Sequence, residues 1–100
     1  MNLFLKLENG NWKFERKDHE LGGVQYIFSF DNGYQASIVK FYDLLLGGSY
    51  GYYEDLWELA VLKDGKLDYD NSVANGDVIG FLTDKEVNKL LKEVEKLKEG

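Results

Sequence analysis

The stretch Gly47-Gly48-Ser49-Tyr50-Gly51 carries the letters G-x-S-x-G of a nucleophile elbow. That chemistry needs a serine on a strand-to-helix turn, with an acid and then a histidine later in the chain. The only histidine, His19, lies upstream, inside the charged stretch Lys17-Asp18-His19-Glu20. The residues after Gly51 have strand character, and a chain of 100 residues is too short for the hydrolase sheet. The match therefore reads as a flexible glycine loop, and His19 as a solvated surface residue. Zinc is excluded on donor chemistry, because neither a cysteine nor a second histidine completes a tetrahedral site. Asp64, Asp68, Asp70 and Asn71 cluster oxygen donors, but they lack the order, central glycine and terminal glutamate of a calcium loop. They read as turn-flanking acids. Carboxylate pairs such as Glu54 and Glu58 are too common in an acidic chain to mark glycosidic chemistry. No lysine completes a phosphate-binding loop around Gly47. The expectation is a non-enzymatic protein with no cofactor and no metal.

What survives is aromatic. Tyr50, Tyr52, Tyr53 and Trp57 follow the glycines, with Glu54, Asp55 and Glu58 interleaved. Large side chains with polar tips, set in a polar rim, form the energetic centre of many interfaces. The same residues would serve as ordinary strand and core residues, and both readings stay open at this point. A stacking platform for bases would add cations, and Phe41 to Leu62 contains no lysine or arginine.

Charge sharpens this picture. Residues 1–40 hold five bases and five acids, residues 41–84 hold nine acids against Lys63 and Lys66, and residues 85–100 sum to +1, giving the net −6. A central −7 opposes phosphate-backbone binding and favours a basic partner surface or plain solubility. Apolar residues at 44% and aromatics at 15% are ample for one core, so a single domain over 1–100 is expected rather than disorder. Leu3-Phe4-Leu5 is broken by Lys6 and Glu8, which is not a signal sequence, and no apolar run reaches spanning length. With no cysteine, the chain fits a reducing cytoplasm.

Three turn dipeptides punctuate the alternating segments. Asn9-Gly10 predicts a hairpin of residues 2–8 with 11–17, placing Leu3, Leu5, Leu7, Trp12 and Phe14 on one face. Asn32-Gly33, taken as a two-residue turn, pairs 24–31 with 34–41 and sets Val24, Tyr26, Phe28 and Phe30 beside Val39 and Phe41. Asp64-Gly65 pairs 56–63 with 66–70, with Leu62 opposite Leu67 and Ala60 opposite Tyr69. Asn71 to Phe81 reads as a loop leading into buried Val78, Ile79 and Phe81. Near residue 84 a helix starts: Thr83 and Glu86 form a capping box, and Val87, Leu90, Leu91, Val94 and Leu97 form one apolar stripe. The fold class is α+β, an antiparallel sheet of five to six strands with one C-terminal amphipathic helix packed on it.

Phe30-Asp31-Asn32-Gly33-Tyr34, Gly48-Ser49-Tyr50-Gly51, Leu56-Trp57-Glu58-Leu59-Ala60-Val61-Leu62 and Gly76-Asp77-Val78-Ile79-Gly80-Phe81-Leu82-Thr83 occur in that order. The series resembles a family of small bacteriophage-encoded proteins, over residues 24–97. That family has no assigned activity, so the resemblance carries over no catalytic or ligand residue. It implies a phage protein in the bacterial host cytoplasm, and association with such proteins points to inhibition of a host defence or nucleic-acid enzyme. The leading expectation is a binder of a host protein through Tyr50, Tyr52, Tyr53 and Trp57, steered by Glu54, Asp55 and Glu58. The alternatives are a nucleotide-binding sponge and a protein that self-associates, as a homodimer, through its helix or a strand edge.

Overall fold

The computed structural model describes residues 3–18, 22–43, 47–49, 55–68, 70–74 and 78–98. The strands are β1 (Lys13–Asp18), β2 (Gly23–Ser29), β3 (Tyr34–Asp43), β4 (Gly47–Gly48), β5 (Trp57–Lys63), β6 (Lys66–Leu67) and β7 (Ile79–Leu82), followed by helix α1 (Asp84–Glu95). All pairings are antiparallel in the order β1-β2-β3-β5-β6, with β4 added to β3 and β7 to β5. The architecture is the expected α+β one. No helix among the described residues is long and apolar enough to cross a membrane.

Alternation along the central strands divides the sheet into two faces. Val24, Tyr26 and Phe28 of β2, Tyr34, Ala36 and Ile38 of β3, and Trp57, Leu59 and Val61 of β5 are buried in one core with Val87, Leu91 and Val94 of α1. Trp12 meets Phe28 edge-on at 6.2 Å, and Tyr26 meets Trp57 edge-on at 5.7 Å. The opposite face carries Gln25, Ile27, Gln35, Ser37, Val39, Phe41, Glu58, Ala60 and Leu62, where Gln25 Nε2 donates to Ser37 Oγ and Gln35 Nε2 to Ser29 Oγ.

The Asn32-Gly33 hairpin corrects the expected register by one residue. Phe28 faces Ala36 and Tyr26 faces Ile38, so the core face of β3 is Tyr34, Ala36, Ile38 and Lys40, while Val39 and Phe41 point away. The cause is a three-residue loop, Asp31 to Gly33. Phe30 N–H donates to the Tyr34 carbonyl and Gly33 closes the turn at φ +86, the conformation glycine adopts without a Cβ penalty. One extra loop residue turns every side chain of the following strand to the other face. The Asp64-Gly65 hairpin follows expectation: both residues have positive φ, as a type I′ turn requires, and Leu62 lies opposite Leu67. Its second strand ends at Leu67, and Tyr69 lies outside the described residues.

The expected hairpin at Asn9-Gly10 does not form. Residues 3–8 are not a strand; they run against α1 and are held by side chains. Leu5 N–H donates to the Tyr26 hydroxyl, Lys6 N–H to Asp84 Oδ2, and Glu8 N–H to Asn88 Oδ1 at 2.8 Å. Arg16 reinforces this from β1, donating to the Leu3 carbonyl with its guanidinium over the Phe4 ring. Alternating leucines serve any extended chain equally well. Here they complete the cover over the part of the sheet that a helix of 12 residues leaves open, with Leu5 buried and Leu3 and Leu7 packed on the core.

α1 begins as expected. Thr83 accepts from the Glu86 N–H and the Glu86 carboxylate accepts from the Thr83 N–H. Phe81, expected to be buried, is 55% exposed. Opposite Glu58, β7 inserts an extra residue between Leu82 and Ile79, and Phe81 takes φ +58 in that bulge.

Candidate partner-binding site

The register of β3 decides the chemistry at the end of the sheet. Lys40 falls on the core face, where its side chain is buried (1% exposed for the residue) against the Trp57 ring, with Nζ 4.1 Å from the ring centroid. An ammonium withdrawn from water needs compensation, and Asp55 supplies it: Nζ lies 2.9 Å from Asp55 Oδ1. Asp55 adopts φ +60, a left-handed conformation that aspartate tolerates better than most residues. Its carboxylate is about half exposed, so the pair joins a buried cation to a surface turn.

The next residue of β3 holds the other flank of the glycine–tyrosine stretch. Ser49 N–H donates to the Phe41 carbonyl at 2.9 Å, and Phe41 N–H donates to Ser49 Oγ at 3.1 Å. The serine of the elbow-like motif is thus buried and occupied with β3 backbone. Two successive residues, Lys40 and Phe41, fix Asp55 and Ser49. Tyr50, Tyr52, Tyr53 and Glu54, the centre of the expected contact surface, lie outside the described residues.

Trp57 is fully buried, so it presents no surface to a partner; it is the floor of the mount. Its indole N–H donates to Asp84 Oδ1 at 2.7 Å, while the other Asp84 oxygen accepts from Lys6. The mount is thereby tied to the start of α1 and to residues 3–8. Glu58 is half-buried on the far face, opposite Val39. Asp55 and Glu58 therefore do not form one acidic rim: the carboxylate of Asp55 turns inward to Lys40, and Glu58 belongs to a different surface.

Lys40 was not legible as part of this site. It lies nine residues before Ser49 in sequence, and only the three-residue loop at Asp31 to Gly33 brings it to the core side. A lysine at that parity, with the strand otherwise apolar on one side, is the signal that the corrected register exposes. The oxygen cluster is also assigned: Asp70 N–H donates to Asp68 Oδ1, and Asn71 Oδ1 accepts from Val73 and Ala74, all local turn bonds. Among the described residues no group of histidine, cysteine or carboxylate side chains is arranged to hold a metal. A hollow of about 450 Å³ lies between residues 6–8 and the first turn of α1, lined by Lys6, Glu8, Asp84, Lys85 and Asn88. Its lining mixes both signs of charge, and Asn88 is fully engaged within the protein.

Comparison of the chain with protein-family models, with curated proteins and with solved structures finds no match in any of the three.

Proposed function

We propose that the protein is a non-enzymatic binding module of phage origin that docks on, and inhibits, a protein of the bacterial cytoplasm through the Tyr50, Tyr52, Tyr53 and Glu54 segment. The observation that carries this reading is the paired anchorage of Ser49 on Phe41 and Asp55 on Lys40. Recognition residues are characteristically held on short segments whose ends are fixed by a rigid scaffold, because pre-ordering lowers the entropic cost of association. A buried lysine paired with a turn residue in a left-handed conformation is an arrangement that sheet stability alone does not require. The engagement of Ser49 with backbone supports a structural role for that hydroxyl over nucleophilic attack. The net −7 of residues 41–84 supports a partner with a basic surface, and the resemblance to phage-encoded proteins supports a bacterial one.

Tagged protein and a Tyr50→Ala/Tyr52→Ala/Tyr53→Ala variant, both shown to be folded, are used to recover partners from bacterial lysate. A specific protein recovered by the parent and lost by the variant identifies the target. Equal recovery by both removes the segment from the interface.

A further inference from the structure

Asn9-Gly10 has the residues of a hairpin turn, yet no hairpin uses it. What the pair offers instead is chemistry. Asparagine is thermally labile because the next backbone nitrogen can attack its side-chain amide carbon, and a following glycine hinders that attack least. At this pair the Gly10 N–Asn9 Cγ bond forms, the Cγ–Nδ2 bond breaks, and ammonia leaves with the proton from Gly10 N. Water then opens the cyclic imide at either carbonyl, giving aspartate or isoaspartate.

The chain holds three Asn-Gly pairs, and the fold treats them differently. Asn75-Gly76 lies outside the described residues. At Asn32 both reacting groups are engaged. Nδ2, the leaving nitrogen, donates to the Val94 and Leu97 carbonyls, and Gly33 N–H donates to the Phe30 carbonyl at 3.3 Å. Ring closure there requires the cap on α1 to open first. At Asn9 neither group is engaged: Gly10 is exposed, and among the described residues nothing accepts its N–H or the Asn9 Nδ2. The bond the Asn9 side chain does make is from the Asn11 N–H, 2.9 Å from Oδ1. A donor on that oxygen polarises Cγ and stabilises the oxyanion that the attack creates. Trp12 N–H closes the turn at 3.5 Å from the Asn9 carbonyl, a weak hold on the backbone that must rotate. The flanks give the product its consequence. Glu8 N–H is fixed on Asn88 Oδ1 and Trp12 is buried, so residues 9–11 bridge a set span. Isoaspartate routes the main chain through the side-chain carbon and lengthens that bridge.

We propose that Asn9 is a site of spontaneous deamidation, open in the folded chain where Asn32 is closed, and that isoaspartate at this position loosens the seat of residues 3–8. The site is separate from the mount of the tyrosine segment, so its test is independent of the proposed binding function. The full chain is kept in mildly alkaline buffer, and converted asparagines are located by peptide mapping with mass spectrometry. In the folded chain Asn9 should convert about tenfold or more faster than Asn32, and in urea the two rates should converge because the cap is gone. Gly10 has no positive φ and open space where a Cβ would stand, so Gly10→Ala suits the fold; it should slow conversion at Asn9 severalfold and leave Asn32 unchanged. In the converted chain the Lys6 and Glu8 amides should exchange faster than in the fresh one, with those of β2 and β3 unaltered. Should Gly10→Ala fail to fold by circular dichroism, the comparison of folded chain with urea decides. An Asn9 that stays intact, or converts no faster than Asn32 in the folded chain, overturns the proposal, and so does conversion that leaves Lys6 and Glu8 as protected as before.

Discussion

The side-chain amide of Asn32 donates to the Val94 carbonyl at 2.8 Å, and also lies 3.2 Å from the Glu95 carbonyl and 2.9 Å from that of Leu97. A residue in the β2-β3 loop therefore caps the C-terminus of α1, where carbonyls lack partners within the helix. The same side chain accepts the Tyr34 N–H through Oδ1, so Asn32 fixes the loop and the helix end together.

Asn32→Asp keeps the acceptor for Tyr34, removes the donor, and sets a carboxylate against the negative end of the helix. The expected loss is about 2–3 kcal/mol. Asn32→Ala loses both roles without adding charge and should cost about 1–2 kcal/mol. Urea denaturation of both variants checks the order; a larger loss in Asn32→Ala than in Asn32→Asp would show that the loop role dominates.

Asn88 is 1% exposed and joins three backbone groups: its Oδ1 accepts from Glu8, and its Nδ2 donates to the Lys6 and Asp84 carbonyls. Asn88→Ala leaves those groups without this partner at the seam between residues 3–8 and α1, at a cost of about 2–3 kcal/mol. Amide exchange should show the Leu5 and Glu8 protons losing protection well before those of β2 and β3.

At the mount, the two members of the ion pair are not equivalent. Asp55→Ala removes the carboxylate that faces a buried ammonium, and is expected to cost about 2 kcal/mol. Lys40→Met keeps the volume, packs its thioether on Trp57 and leaves a carboxylate that water reaches, so it should stay within about 1 kcal/mol of the parent. Thermal melts of the two variants decide the order, and a larger loss in Lys40→Met would assign the dominant interaction to the cation over Trp57.

Glu86 has a carboxyl pKa below its ordinary value of 4.5, first because the Thr83 N–H donates to it, then because the Thr83 hydroxyl does. A carboxylate depressed in the folded state contributes its stability above the unfolded value and loses it as pH falls through the folded one. Its contribution is therefore complete above about pH 4.5 and lost below it. Thr83→Ala removes the hydroxyl donor and keeps the backbone one, so an NMR titration of Glu86 should move part of the way back up. Glu86→Gln should make the acid limb of the stability curve shallower.

The elements marked by local chemistry were legible: the Thr83–Glu86 box, the stripe from Val87 to Leu97, and the Asp64-Gly65 turn each depend on residues a few positions apart. The rest depended on partners far along the chain. The Asn32-Gly33 pair fits a two-residue turn until Asn32 is required at the end of α1, and that requirement is invisible from either segment alone. Alternating leucines at 3, 5 and 7 say that one side of an extended chain is buried, without saying whether a strand or a helix lies beneath. Lys40 joined the candidate site through the one-residue change of register, whereas Trp57 left its surface through the alternation of its own strand, which buries Trp57, Leu59 and Val61 together. Exposure at the acids followed geometry that composition does not carry: Asp55 turns toward a cation, while Glu58 stands on the opposite face.

The bonds that seat residues 3–8 span most of the chain: Lys6 to Asp84 over 78 positions, Glu8 to Asn88 over 80, and Lys92 to Glu8 over 84. During synthesis the β1-β2-β3 meander can form as soon as it emerges, because its contacts are local. Leu3 and Leu5 find Arg16 and Tyr26 on that meander, but Lys6 and Glu8 have no α1 partner until Asp84 and Asn88 have left the ribosome. Folding must then proceed with residues 6–8 waiting beside a half-covered sheet until α1, some 80 positions later, is there to seat them.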